Sequence, residues 1–181
     1  MTLATPLFKA GLLQFGRFIA EDGTPSPYRI RLEMLAAYPA LLQQITYRGV
    51  QSLATATPFD RLVALSDSIP IATSLALNTG ISLVYSRGTN EPLVHDLVGA
   101  YDVGHPACLI VNSANEHTSE FIQKSRKVGL EIHTVLEVIA QGYTLPNVTQ
   151  LSILTIPAVI HELRQNNTIT QHMADAVLKH A

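Results

Sequence analysis

The middle of this chain alternates between two kinds of segment, and that alternation limits the folds open to it. Residues 62–65 read as a short apolar strand, and 69–78 as a small-residue helix with Gly80 as its C-cap. Residues 82–85 read as a second strand and 107–111 as a buried one. A helix follows over 119–128 and stops at Gly129, after which 131–140 begins as a strand and 151–154 forms another. Strands separated by helices pair in parallel, and a parallel sheet has to be covered on both faces. Right-handed crossovers leave few ways to connect them.

The flanks add helices. Residues 5–14 read as one, with Pro6 in the first turn and Leu7, Ala10, Leu13 and Gln14 at helical spacing. Residues 21–27, with Gly23, Pro25 and Pro27, read as a turn, 28–32 alternates like a strand, and 86–96 is a polar segment. Residues 39–52 start with proline and place Leu42, Ile45 and Val50 on one side, as a helix would. Residues 157–165 and 170–180 read as two final helices. No repeat or linker interrupts the chain, and 181 residues suit a single α/β domain, 1–181.

Charged residues make up 14% of the chain, against roughly 25% in a typical soluble domain. So little charge implies that a second subunit or another protein covers part of the surface. Lys and Arg number 12 against 14 Asp and Glu, a balance that gives no general attraction for nucleic acid. Cys108 is the one cysteine, which excludes an intrachain disulfide and fits a reducing, cytoplasmic setting. The longest apolar stretch, 69–85, is broken by Pro70, Thr73, Asn78 and Gly80, so no membrane insertion is expected. The first residues lack the pattern of a signal peptide.

Several short motifs occur in a meaningful order. Phe15, Gly16, Phe18, Gly23, Ser26, Pro27 and Tyr28 come first, then the run 69–77 (IPIATSLAL) and 84–87 (VYSR). Leu97 to Gly99 and Gly104 precede Cys108 to Val111 (CLIV), and 151–163 (LSILTIPAVIHEL) closes the series. In order and spacing the chain resembles the orotate phosphoribosyltransferases, type I phosphoribosyltransferases of pyrimidine synthesis. The resemblance implies a central, mostly parallel sheet flanked by helices. It also implies a reduced hood from about 1–30 and 155–181, and a homodimer.

That family's chemistry needs three things which this sequence alters. Two adjacent aspartates and a Thr/Gly-rich loop hold the ribose hydroxyls and 5'-phosphate. Here the loop reads Asn112, Ser113, Ala114, Asn115, Glu116, His117, Thr118, Ser119, so both acids are replaced and Thr118 stands for the glycine. Asn, Thr and Ser cap helices well, so a side-chain-capped loop is expected, with Glu116 and Glu120 occupying the anion site. Lysines that grip pyrophosphate should lie between Ala10 and Gln123, where there is none. Glu21 replaces the early one, Gly88 follows Arg87, and the mobile catalytic loop is reduced to residues 88–93. The pyrophosphate loop carries Ser66, Asp67 and Ser68, whose Asp67 repels an anion.

Other constellations are weaker. Seven histidines show no ligand spacing, His161-Glu162 lacks a second histidine one turn on, and no metal site is expected. His95-Asp96 has the form of a base with an orienting acid, but no nucleophile is paired with it. Arg29, Arg31 and Arg48 form the largest basic grouping, flanked by acids. Tyr28, Tyr38, Tyr47 and Phe59 suit a core, a subunit interface or a base pocket, and Tyr28, Arg29 and Arg87 are the candidates for a residual pocket. The expected function is a catalytically inactive, phosphoribosyltransferase-like binding or scaffold protein, with no catalytic residue, no cofactor and another protein as partner. The alternatives are a divergent, magnesium-dependent orotate phosphoribosyltransferase and a non-catalytic base or nucleotide sensor.

Overall fold

In the computed structural model, which describes residues 2–20, 23–89, 92–101 and 103–180, the alternation becomes a six-stranded sheet. The chain runs α1 (Ala4–Lys9), β1 (Leu13–Ile19), β2 (Pro25–Ile30), a 3-10 segment (Leu32–Ala37) and α2 (Pro39–Leu53). Next come β3 (Arg61–Ala64), a 3-10 turn (Ser66–Ser68), α3 (Ile69–Thr79), β4 (Ser82–Ser86), α4 (Leu93–Asp96) and β5 (Leu97–Val98). The last part is β6 (Pro106–Val111), α5 (Glu116–Lys127), β7 (Glu131–Ala140), β8 (Thr149–Thr155), α6 (Ile156–Gln165) and α7 (Gln171–Leu178).

The sheet order is β5-β4-β3-β6-β7-β8, parallel throughout except for β5, which pairs antiparallel with β4. Alternate residues of the central strands enter two separate cores. Leu62, Cys108, Ile110 and Leu136 face one, with α2, α3, α6 and α7. Val63, Leu109, Val111 and Val135 face the other, covered by α5 and the segment 93–101. Each such side chain removed from water is worth about 1.5–3 kcal/mol. Burial pushes the Cys108 thiol up to about 12, so it stays protonated.

Corrections to the expected elements cluster at the N-terminus. The first helix ends at Lys9 rather than Gln14, because Gly11 turns left-handed (φ 70°) and Leu13 and Gln14 enter β1. Pro25 and Pro27 lie in β2 rather than in a turn, and β2 ends at Ile30. Glu21 lies outside the described residues, as do Asn90 and Glu91 of the reduced loop. The polar segment contains α4 and leads into β5, and α5 begins three residues earlier than expected, at Glu116. By contrast Gly80, at φ 74°, caps α3 as anticipated.

The two termini pack together. The Thr5 N–H donates to Glu162 Oε1 (3.2 Å), Asn166 Nδ2 donates to Thr5 Oγ1 (3.1 Å), and the Tyr28 and His180 rings meet edge to face. The β1–β2 hairpin, paired only with itself, lies against α7.

Candidate functional site

In an open α/β sheet, ligands bind in the crevice beyond the carboxyl ends of the strands. Four loops meet at that edge here, after β3, β4, β6 and β7. Their side chains bond to one another and to main-chain carbonyls at the strand ends. Asn112 Nδ2 donates to the Asp67 carbonyl oxygen (3.1 Å) and to Asp67 Oδ2 (3.0 Å), joining the loops after β6 and β3. Ser113 Oγ donates to the Ile139 carbonyl at the end of β7 (2.6 Å). Ser68 is fully buried and donates to the Leu65 and Ile110 carbonyls (3.0 and 2.7 Å).

The start of α5 is closed by a reciprocal cap. The Thr118 N–H donates to Asn115 Oδ1 (3.0 Å) and the Asn115 N–H to Thr118 Oγ1 (3.2 Å). The side-chain cap anticipated from Asn and Thr is therefore present. The carboxylate at the loop is not the expected one, however. Glu116, His117 and Glu120 are exposed, and the acid bonded to the loop is Glu137 of β7, whose Oε2 accepts the Ala114 N–H (2.8 Å). Its Oε1 accepts from Gln150 Nε2 (3.0 Å), and Gln150 in turn holds the Leu145 N–H and the Tyr143 carbonyl. Burial raises the Glu137 carboxyl above its ordinary value, and the hydrogen bonds from Ala114 and Gln150 only partly offset this.

A second buried acid, Asp96 at the end of α4, organises the loop after β4. Its Oδ2 accepts from Ser86 Oγ, and its Oδ1 from the Thr89 N–H (2.8 Å) and Thr89 Oγ1 (2.7 Å). Burial opposes its charge, but the donors from Ser86, Thr89 and the Gly88 amide outweigh that and hold it below the ordinary value. Asp96 is thus a loop clamp and orients no base. Gly88 sits inside the clamped loop at φ +74°, where a Cβ would lie 2.8 Å from Ser66 Oγ.

Three residues were expected to form a residual pocket. Tyr28 and Arg29 line one cavity of about 650 Å³, together with Gln141, and the Tyr28 hydroxyl donates to Gln141 Oε1 across it (2.7 Å). Burial raises the Tyr28 pKa, so the phenol stays neutral. Arg29 stacks on the Phe18 ring, 4.7 Å from its centroid. Arg87 is exposed beyond the end of β4 and is not among the residues lining that cavity.

No protein-family model matches the sequence. Solved structures match it closely in shape. Leishmania donovani UMP synthase superposes with a TM-score of 0.88 at 24% identity, over 98% of this chain and 41% of that one. Orotate phosphoribosyltransferase from Aeropyrum pernix gives 0.77 at 18% identity, over 91% of this chain and 99% of that one. The Francisella tularensis orotate phosphoribosyltransferase gives 0.70 at 19%, over 96% and 94%. The fold is that of an orotate phosphoribosyltransferase. The chain spans less than half the length of the Leishmania UMP synthase it matches.

Lys124 and Lys127 project from α5 and line a cavity of about 820 Å³ that also contains Gly88, Thr89 and Asp96. That cavity is bounded by neither Asn112–Ser113 nor Ser66–Ser68, and Lys124 is paired with Glu120 (3.5 Å). A magnesium ion needs several oxygen ligands, usually carboxylates and a diphosphate. At this edge the carboxylate is that of Asp67, whose Oδ2 accepts from Asn112 Nδ2, and Asn112 and Ser113 contribute neutral side chains. Among the described residues no three His, Cys, Asp or Glu side chains converge as a ligand set, and no helix is long and apolar enough to cross a membrane.

The sequence reading missed Glu137 and Gln150. A signal was available for the first. Glu137 is the lone acid in the run Val135–Ala140, on a strand that a parallel sheet buries on both faces.

Proposed function

We propose that this protein is a phosphoribosyltransferase-like binding protein that does not turn over phosphoribosyl pyrophosphate. The Asn112–Asp67 bond carries the reading, because Asn112 of one loop that would face the donor gives its Nδ2 to Asp67 of the other. The supporting chemistry is consistent in sign. A 5'-phosphate needs free backbone amides at a helix start. Here Glu137 takes the Ala114 amide and Asn115 takes that of Thr118. Departing pyrophosphate needs preorganised cations, and losing even one preorganised donor costs roughly 100- to 1000-fold in rate. Gly88 occupies the position of one such lysine, in a loop that Ser66 crowds.

What the framework retains is a surface for binding. The role is that of an assembly or regulatory factor, a cytoplasmic homodimer that docks to another protein. Purified protein incubated with orotate, phosphoribosyl pyrophosphate and magnesium should form no orotidylate above background. Calorimetry with the sugar diphosphate should give no heat. Robust turnover would overturn the reading in favour of a divergent orotate phosphoribosyltransferase.

The cavity around Tyr28, Arg29 and Gln141 supports a second reading, a sensor of bases or nucleotides. Heat with orotate or UMP, without turnover, would select it.

A further inference from the structure

The hairpin and α7 enclose a groove that takes no part in the strand-edge chemistry. It measures about 660 Å³, within the range of small-molecule pockets. Phe15, Phe18, Pro27 and Met173 supply apolar walls, and Arg17 and His172 are its ionisable groups. None of the described residues lining it carries a carboxylate. The aromatic walls are held before any ligand arrives. Phe15 stacks on Phe8 with centroids 5.8 Å apart, and Phe18 lies under the Arg29 guanidinium. Arg29 and Tyr28 line the neighbouring cavity and not this groove.

A concave apolar site with preset aromatic rings and only basic ionisable groups selects an apolar body that carries an acid. From this lining we infer that the groove between the β1–β2 hairpin and α7 binds a small amphipathic anion, an aromatic or aliphatic acid whose charged end meets Arg17. The inference goes beyond the strand-edge reading and does not depend on it, since turnover is measured elsewhere on the molecule.

Two fluorescent probes test it. 1-Anilinonaphthalene-8-sulfonate has an aromatic body and one acidic group, and N-phenyl-1-naphthylamine is its uncharged counterpart. The charged probe should bind the native protein saturably at one site, about tenfold tighter than the neutral one, as a charge-assisted contact provides. Arg17→Ala should erase that difference and leave the neutral probe unaffected. Ala176→Trp, which fills the groove from a half-buried position on α7, should abolish both signals while the circular dichroism spectrum and melting temperature are kept. If that variant does not fold, Arg17→Ala and the probe pair decide alone. Equal affinity of the two probes for the native protein overturns the inference. So does loss of probe binding accompanied by a change in oligomer mass, which would make the groove a subunit interface.

Discussion

The loops after β4 and β6 lie on the same sheet edge, and each is organised around one buried carboxylate, yet the two acids are shifted in opposite directions. Asp96 collects donors from Ser86, Thr89 and Gly88 and is held below its ordinary value. Glu137 collects one amide and one side-chain donor, and burial wins. The number of donors aimed at the charge decides whether a buried acid prefers to ionise. The loop after β4 is therefore held by a stabilised charge, and the loop after β6 by an acid that burial disfavours.

The largest expected effect breaks the first clamp. Asp96→Ala leaves the buried Ser86 Oγ and the exposed Thr89 hydroxyl and amide without their acceptor and should cost roughly 2–3 kcal/mol, most of it from the buried orphan at roughly 1–3 kcal/mol. Urea denaturation would measure it, and a loss below about 1 kcal/mol would show the loop is not held this way. The pH dependence gives the sign. A lowered pKa contributes stability that is present above the unfolded value and is lost as pH falls through the folded one. The deficit of Asp96→Asn should therefore be greatest near neutrality and shrink on acidification.

Gly88→Lys, which puts a cation into the loop after β4, should cost about 2 kcal/mol. A side chain at φ +74° is strained by roughly 1–2 kcal/mol, and its Cβ meets Ser66. Adding Ser66→Gly should recover part of the loss. A Gly88→Lys protein as stable as the parent would mean that the loop rearranges freely, and would weaken the contrast between the two loops.

Glu137→Gln sharpens the comparison. Gln150 Nε2 and the Ala114 amide both donate to the native carboxylate, so the new amide group faces a donor and should cost about 1 kcal/mol. A raised pKa means the neutral acid is favoured in the fold, so native stability falls as pH rises from the unfolded value through the folded one. The variant lacks that fall. Its stability relative to the native protein should climb with pH in that window, opposite to the trend for Asp96→Asn. Parallel trends in the two variants would remove the distinction.

Much of the sheet was legible in the sequence because its strands are short apolar runs separated by helices with clear stops, as at Gly80 and Gly129. The hairpin was not. Leu13 and Gln14 continue a helical spacing on paper, and only the left-handed turn at Gly11 redirects them. Along β1 a bulge between Phe15 and Phe18 disturbs the alternation that would have marked a strand. Start-of-helix chemistry at Asn115 was readable as a cap, but its position was not, since Thr118 serves as both helical residue and reciprocal partner. The replacements at Asn112, Ser113 and Asp67 were visible as altered residues. That they bond across two loops could not be read, because the contact spans 45 residues of sequence.

The smallest predicted effect concerns that contact. Asn112 and Asp67 are partly exposed to solvent, so water replaces much of what either loses. Exposed pairs involving a charge typically contribute about 0.2–1 kcal/mol. A double-mutant cycle with Asn112→Ala and Asp67→Ala should thus give a coupling of about 0.5 kcal/mol. The cycle isolates the side-chain bond to Asp67 Oδ2, because the bond from Asn112 Nδ2 to the Asp67 carbonyl survives Asp67→Ala. Coupling indistinguishable from zero would leave the main-chain carbonyl of Asp67 as the acceptor that ties Asn112 to the loop after β3. The proposal that this edge takes no sugar diphosphate would then rest chiefly on Glu137 and the Asn115 cap.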